Sequence, residues 1–153
     1  MSEKRVRADY DKAFKLEAVM SERYRGSLFG LAIGDALGTT LEFKSPGTFT
    51  PLTDMIGGGP FGLAVGQWTD DMSMALCLAE SLIKCQGFDA KDQIERYVRC
   101  WRDGHLSSTG TCFDIGNAVR GALLNFQRTR DPYSGSIDPN TAGKVAEIPI
   151  FES

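Results

Sequence analysis

The chain has 153 residues, a length that suits one ordinary domain able to bury a hydrophobic core. Its composition, 42% hydrophobic and 24% charged, is that of a soluble globular protein. The net charge of −3, with no basic cluster beyond Lys4, Arg5 and Arg7, argues against a nucleic-acid-binding protein.

The apolar stretches and the cysteines predict neither a membrane segment nor a zinc site. The longest strongly apolar stretch, residues 28–33, is too short to cross a bilayer and runs into Asp35. The N-terminus is charged and lacks the apolar core of a secretion signal. Four cysteines at spacings of 8, 15 and 12 match no zinc pattern, so we expect reduced core thiols in a cytoplasmic protein.

The first predicted helix is unusual in its glycines. It is preceded by residues 1–21, which suit either an amphipathic lead-in helix or a frayed tail. Glycine then recurs every fourth residue, at Gly26, Gly30, Gly34 and Gly38. This spacing puts the glycines on one stripe, where another helix or a ligand can approach the backbone closely. The apolar residues on the other sides predict a helix buried nearly all round: Leu28, Leu31, Ala32 and Ile33.

Two acidic residues belong to this region. An ionised Asp35 inside an apolar helix has to be paired, hydrogen-bonded or bound to a metal. Glu42 lies nearly two turns later and shares a similar face only if the helix continues past Gly38. The alternatives are a cap or salt-bridge partner for Asp35 and a solvated face for Glu42.

Residues 44–66 contain many prolines and glycines, which predicts a loop without regular structure. A loop of that length inside a compact domain is more often functional or mobile than idle. Its three consecutive glycines, residues 57–59, allow backbone amides to approach a phosphate. The segment nevertheless matches neither the Walker nor the Rossmann pattern, so this signal is weak.

A hydroxyl and two carboxylates stand where this loop becomes an apolar helix. Thr69 is a good N-cap, and Asp70 and Asp71 fall in the first turn, where free amides and the helix dipole favour negative charge. The same oxygens suit Mg²⁺ or Mn²⁺, which prefer hard ligands. These residues alone leave both interpretations open: an ordinary acidic helix start or a metal site.

Two amphipathic helices are predicted from this point. Apolar residues at three- and four-residue steps indicate a helix from Thr69 to near Gly87. A second helix is expected to begin after the cap residue Asp89 and to end at Gly104. The apolar stripes of both helices are assigned to the core.

A loop rich in Ser, Thr and Gly, residues 105–112, precedes the last predicted helix. His105 is expected to be a surface or capping residue, because no nucleophile is placed with it. Thr111 and Asp114 fit the Ser/Thr-x-x-acid capping pattern, so Asp114 taken alone is more often a cap than an acid or base. Since no segment shows the period-two alternation of a sheet, the chain is predicted to be all-α.

The order of these motifs resembles the ADP-ribosylglycohydrolase family. Its pieces are Gly-Leu-Ala-Ile-Gly-Asp-Ala-Leu-Gly followed by Glu42, the Gly-Gly-Gly loop, Trp-Thr-Asp-Asp, and Thr-Cys-Phe-Asp-Ile-Gly-Asn. The resemblance implies an all-α, orthogonal helical bundle around two Mg²⁺ or Mn²⁺ ions. It also implies hydrolysis of the glycosidic bond between ADP-ribose and a protein side chain, arginine or serine, or a related acceptor. The implied domain is residues 22–143, between a charged lead-in, 1–21, and a divergent tail, 144–153.

The resemblance also assigns roles to residues of these motifs. The implied metal ligands are Thr69, Asp70 and Asp71. Glu42 and Asp114 correspond to catalytic residues, Glu42 beside the metal and Asp114 in substrate positioning or proton transfer. Asp35 is placed behind the ligands, where it supports them. The implied substrate-binding residues are Gly58, Gly59 and Gly110.

The chain departs from the family pattern after residue 143. Members are about twice as long, and their C-terminal half carries a Gly-Asp-Thr-Asp-Thr-like motif that this chain lacks. A truncated fold is therefore expected, and its few ligands predict weak metal binding. Apolar faces left uncovered by the missing helices predict self-association.

Three functions remain open from the sequence. The first is an ADP-ribosylglycohydrolase-type hydrolase acting on an ADP-ribosylated protein or an ADP-ribose-containing small molecule. The second is a catalytically incomplete module that binds a metal or ADP-ribose. The third is a structural helical fragment.

Overall fold

The computed structural model describes the backbone of residues 3–136 and the side chains of residues 19–136. These residues form no β-sheet, which confirms the all-α prediction. The elements are α1 (Glu3–Gly38), a 3₁₀ turn (Thr39–Leu41), α2 (Asp70–Cys85), α3 (Ala90–Asp103) and α4 (Asn117–Thr129). The chain divides into two compact units, Met1–Gly66 and Gln67–Ser153. The predicted tail, 144–153, lies outside the described residues, and the predicted domain limits stay a prediction.

Helix α1 forms as predicted, but its apolar residues are not buried. Tyr24, Phe29 and Ile33 are exposed by 67%, 66% and 56%. A methyl group added at Gly26 or Gly30 would meet nothing within 4 Å. The prediction of a helix buried nearly all round is therefore wrong for the described chain, because helical spacing groups apolar residues on a face but does not supply the surface that covers it. Although α1 is 36 residues long, neither it nor any other described helix is apolar enough to span a bilayer.

The end of α1 separates Asp35 from Glu42. The helix stops at Gly38 and tightens into the 3₁₀ turn, after which Glu42 adopts a φ of −56° and a ψ of 140°. Glu42 therefore lies outside the helix, and the condition under which it would share a face with Asp35 is not met. Both side chains are half-buried.

The glycine-rich loop of residues 44–66 is irregular, as predicted, and its triple glycine packs on the 3₁₀ turn. The Thr40 hydroxyl donates a hydrogen bond of 3.0 Å to the Gly57 carbonyl. Gly59 has a φ of +69°, and a Cβ there would lie 2.2 Å from the Thr39 carbonyl oxygen. Glycine is required at position 59 by both the backbone angle and this close approach.

The second unit has a small core between α3 and α4. Asp89 caps α3 with its carboxylate, which accepts from the amides of Lys91 and Asp92, and Gly104 ends the helix in the left-handed conformation, as predicted. The buried core residues are Ile94, Leu123 and Phe126, against which Tyr97, Val98, Trp101, Ile115 and Val119 pack. The core assignment is confirmed for α3, but in α2 only part of the stripe is covered: Met72 is buried, whereas Leu82 and Ile83 are exposed by 40% and 79%. The assignment of Leu82 and Ile83 to the core is wrong, because helical spacing does not supply a covering surface.

The predicted start of α4 is wrong. The helix begins at Asn117 with Gly116 as its N-cap, so Thr111 and Asp114 do not form a capping box. Asp114 instead has a φ of +57°, in the left-handed region. The Ser107 and Thr109 hydroxyls instead donate to the Thr111 carbonyl within their own loop, and such local bonds compete with helix formation.

Candidate functional site

The start of α2 carries the three predicted metal ligands. Thr69 is the N-cap residue and is buried, Asp70 is half-buried and Asp71 is exposed, with both aspartates in the first turn. The Thr69 hydroxyl makes no capping hydrogen bond to α2. Its carbonyl instead accepts a bond of 2.8 Å from the Ser73 hydroxyl, which closes the first turn. The predicted helix start is confirmed, and the acidic groups lie at the positive end of its dipole.

Thr69 and Asp70 line a narrow cleft in this unit that has no room for a water molecule. Its other lining residues are Ser73, Cys100, Ser107, Cys112 and Phe113. Burial raises the pKa of the Cys112 thiol to about 11, and the nearby Cys100 and the Asp70 carboxylate add to the rise. The four cysteines are free, as expected, although Cys85 is exposed rather than in the core. The Asp70 carboxylate and several hydroxyls therefore line this cleft together with two thiols.

The remaining predicted site residues are distributed over both units. Asp114 follows Phe113, which lines the cleft, and is half-buried. Gly110 also lies in this unit, in an exposed part of the loop before α4. In the other unit, the Gly58 amide donates to the Leu63 carbonyl at 2.7 Å, and its φ of +85° favours glycine. Gly59 packs on Thr39, so backbone conformation and packing account for these two glycines. The roles proposed for these residues, and for Asp35 and Glu42, stay predictions.

The chemical type of the donors at the start of α2 suits a hard divalent ion. A hydroxyl and two carboxylates at residues 69–71 are ligands that Mg²⁺ and Mn²⁺ prefer. Among the described residues, however, no three His, Cys, Asp or Glu side chains are grouped to hold a metal. Octahedral coordination needs about six ligands, so these three positions supply part of one shell.

The loop before α4, in which the sequence assigned a function only to Gly110, packs beside these residues. We call residues 105–112 the hydroxyl loop. Within it, the Ser107 and Thr109 hydroxyls donate to the Thr111 carbonyl at 2.6 and 3.0 Å. Gly104 precedes the loop with a φ of +69°, and a Cβ there would lie 2.0 Å from the Gly110 carbonyl oxygen. The loop is therefore folded on itself and closed against the end of α3.

The hydroxyl loop is bonded to the segment that leads into α2. The Ser108 hydroxyl donates a bond of 2.6 Å to the Trp68 carbonyl. In return, the Gln67 amide group donates a bond of 3.2 Å to the Ser108 carbonyl. The only signal for Ser108 in the sequence is the density of hydroxyl residues around it, which does not single out this position.

An ionic network between α2 and α3 was also missed. Arg96 is 3% exposed and pairs with both Glu80 of α2 and Asp92 of its own helix. Arg96 holds the pKa of Asp92 far below its ordinary value, and the His105 imidazole, then Arg96, lower that of Glu80. His105, predicted to be a surface or capping residue, is half-buried, with its Nε2 atom 2.8 Å from the Glu80 carboxylate. The sequence signal was the Asp92–Arg96 spacing of four.

Comparison with known proteins identifies the family of this chain. The sequence profile described as ADP-ribosylglycohydrolase matches residues 16–151. The ADP-ribosylarginine hydrolase Tri1 of Pseudomonas putida is 52% identical over 83% of this chain and 34% of its own. Tri1 of Serratia proteamaculans is 49% identical over 86% of this chain and 36% of its own. The ADP-ribosyl-[dinitrogen reductase] glycohydrolase of Rhodospirillum rubrum is 36% identical over 74% and 38%.

A solved structure supports the same assignment. A chain of an ADP-ribosylglycohydrolase-related protein complex superposes with a TM-score of 0.62 at 48% identity, over 72% of this chain and 35% of that chain. The chain spans about a third of the length of the curated relatives it matches. The profile match, the identities and the shared helical structure lead to one conclusion: this chain belongs to the ADP-ribosylglycohydrolase family.

Proposed function

We propose that the chain carries the metal-binding part of an enzyme that hydrolyses the glycosidic bond between ADP-ribose and a protein arginine. The observation that carries this proposal is the grouping of a hydroxyl and two carboxylates at the start of α2, where Thr69 is the N-cap residue and Asp70 and Asp71 stand in the first turn. Arginine is favoured as the acceptor because the two relatives that are 52% and 49% identical are named ADP-ribosylarginine hydrolases.

The residues at 69–71 would hold Mg²⁺ or Mn²⁺, with two ions in the intact family fold. When bound, such an ion supplies Lewis acidity towards the ribose hydroxyls and a water molecule. The Thr69 carbonyl accepts hydrogen bonds from the Ser73 amide and hydroxyl, which fix the backbone of the first turn. The side chains of residues 69–71 therefore start from a fixed backbone. The positive end of the helix dipole favours negative charge at both positions.

Asp114 is proposed to position the substrate or move a proton. Its backbone is held in the left-handed conformation, with a φ of +57°, and its side chain is half-buried beside the cleft residue Phe113. Because positive charge develops on the ribose as the bond breaks, an ionised carboxylate near the sugar stabilises the transition state. A strained, half-buried carboxylate next to a cleft suits that role better than an exposed helix cap does.

The remaining family roles are part of the same proposal. Glu42 would act beside the metal, and Asp35 would orient a residue that touches it. Gly58, Gly59 and Gly110 would border the ADP-ribose phosphates. Their support is the match of motif order to the family.

The proposal is tested with an ADP-ribosylated arginine peptide and Mn²⁺. We expect release of ADP-ribose that falls at least about a hundredfold in Asp70→Asn, since a single ligand change removes charge from the metal site. Asp103→Asn removes the same charge from an exposed position at the end of α3 and serves as the control. Release is measured by chromatography.

Two other results decide between the alternatives. The first is Mn²⁺ binding that is lost in Asp70→Asn while no protein releases ADP-ribose. This result would support a catalytically incomplete binding module, an alternative favoured because residues 69–71 supply only three donors. Equal Mn²⁺ binding in wild type and Asp70→Asn would contradict the metal site itself.

A further inference from the structure

The first turn of α2 depends on contacts that come from outside the helix. Thr69 is buried and bonded from Ser73 inside the helix, but the residues just before it have extended or irregular backbone. Without a contact at residues 67 and 68, the carboxylates of the first turn would share the fraying motion that is usual at a helix end. The hydroxyl loop provides that contact.

The contact is a reciprocal pair of hydrogen bonds. The Ser108 hydroxyl donates to the Trp68 carbonyl at 2.6 Å, and the Gln67 side-chain amide donates to the Ser108 carbonyl at 3.2 Å. Both bonds are partly buried and join positions about 40 residues apart in the chain. Two bonds in opposite directions fix the direction of the backbone as well as its distance, which a single bond does not do.

The loop that makes this contact is itself held by two other contacts. Gly104, just before the loop, lies so close to Gly110 that no side chain fits between their backbones. His105, the first residue of the loop, is 2.8 Å from Glu80 of α2. The loop therefore touches the α2 segment at two places, Ser108 before the helix and His105 along it, and acts as a rigid support rather than a mobile cover.

We propose that Ser108 is a positioning residue that holds Thr69, Asp70 and Asp71 in the geometry needed for a divalent ion. The metal-binding role of these three residues rests on the proposed function. Ser108 itself acts one residue away from Thr69, through the Trp68 carbonyl. The proposal is chemically specific: the hydroxyl is needed as a donor, so threonine should replace serine and alanine should not.

The test compares Ser108→Ala with Ser108→Thr and with a matched control. Ser134→Ala is the control, because the Ser134 hydroxyl also donates to a backbone carbonyl, that of Ala122, at 2.9 Å and is buried in the same unit. Two measurements are made on each protein. Mn²⁺ affinity is followed by electron paramagnetic resonance, and amide hydrogen exchange of residues 69–73 is followed by mass spectrometry without metal.

We expect Ser108→Ala to weaken Mn²⁺ binding roughly tenfold, the usual size of the effect when a partner of a metal ligand is lost. Exchange of residues 69–73 should become faster by a similar factor, while Ser108→Thr and Ser134→Ala stay within about twofold of wild type in both measurements. Because the control loses an equivalent bond, general destabilisation cannot produce this difference.

The outcomes separate this proposal from the proposed function. Unchanged exchange in Ser108→Ala, or an equal increase in Ser134→Ala, would overturn the positioning role whether or not Mn²⁺ binds. If exchange becomes faster in Ser108→Ala but not in Ser134→Ala, and the wild type binds no Mn²⁺, then Ser108 holds the start of α2 in place but the metal site is contradicted. Exchange that rises while Mn²⁺ affinity stays at the wild-type value would show that the metal geometry does not depend on Ser108.

Discussion

Helix α1 and the helices of residues 67–136 carry similar apolar spacing but have different surroundings. Leu123 in α4 is 1% exposed and packs with Ile94 and Phe126. Leu28 and Phe29 in α1 are 40% and 66% exposed. The same three- and four-residue spacing therefore produces a helix in both regions and a core in only one. Periodicity determines which residues share a face, and a packed partner determines whether that face stabilises the fold.

Truncating one leucine in each region gives the largest expected difference. Leu123→Ala should lower the free energy of unfolding by about 2–5 kcal/mol, because it leaves a cavity in a fully packed site. Leu28→Ala should cost less than about 1 kcal/mol, because its side chain is already partly in water. Urea unfolding followed by far-ultraviolet circular dichroism measures both, since helix is lost from both regions.

Tryptophan fluorescence adds a control to this comparison, because both tryptophans, Trp68 and Trp101, belong to the second unit. Its midpoint should move in Leu123→Ala and stay unchanged in Leu28→Ala. Equal losses in the two variants would mean that α1 is covered as well as α4, which would contradict the exposure described above.

The accuracy of the fold prediction follows the same division between local and distant causes. Asp89 and Gly104 were predicted correctly because a cap and a left-handed C-terminus are decided by residues within one turn. The capping box at Thr111 failed because hydroxyls in the same loop compete for the backbone. The burial of Leu28 failed because burial depends on a surface far away in the sequence.

Two glycines extend the comparison to the backbone. Gly104→Ala should destabilise the second unit by about 1–3 kcal/mol, because alanine is strained at a φ of +69° and its Cβ would lie 2.0 Å from the Gly110 carbonyl oxygen. Gly30→Ala should stabilise α1 by about 0.5–1 kcal/mol, because alanine favours a helix and meets nothing within 4 Å there. Thermal unfolding measures the two opposite signs.

Gly104→Ala should also change the cleft. Moving Gly110 displaces the hydroxyl loop, so Trp68 fluorescence should shift in the folded protein, whereas Gly30→Ala should leave it unchanged. A destabilised Gly30→Ala protein would indicate that the glycine stripe packs closely against another surface.

The site was predicted in part for a related reason. Thr69, Asp70 and Asp71 were found because the residue types and the helix start they accompany are contiguous in sequence. Ser108 and the Glu80–Arg96 pair were missed because their partners lie 40 and 16 residues away, and only the folded chain brings them together. A spacing of four between Asp92 and Arg96 was visible, but such pairs are common on exposed helices.

The smallest expected difference between the two regions concerns their ion pairs. Arg25 and Glu22 in α1 are 3.4 Å apart with side chains exposed by 69% and 74%, so solvent screens their attraction. Arg96 is 3% exposed and joins Glu80 and Asp92 across two helices. Opposite charges attract in both places, but only the attraction around Arg96 is shielded from solvent by burial.

Acid should separate these two pairs. In the folded protein the pKa values of Glu80 and Asp92 lie below their ordinary values of 4.5 and 3.8. As the pH is lowered below about 5, the unfolded chain therefore takes up protons before the folded chain does, and the free energy of unfolding decreases. Arg96→Met should weaken the fold at neutral pH and make the further loss between pH 5 and pH 3 shallower. Arg25→Met should reproduce the wild-type slope, because solvent screens the attraction between exposed charges. Urea midpoints at each pH measure these slopes, and equal slopes in wild type and Arg96→Met would show that Arg96 does not stabilise the ionised carboxylates.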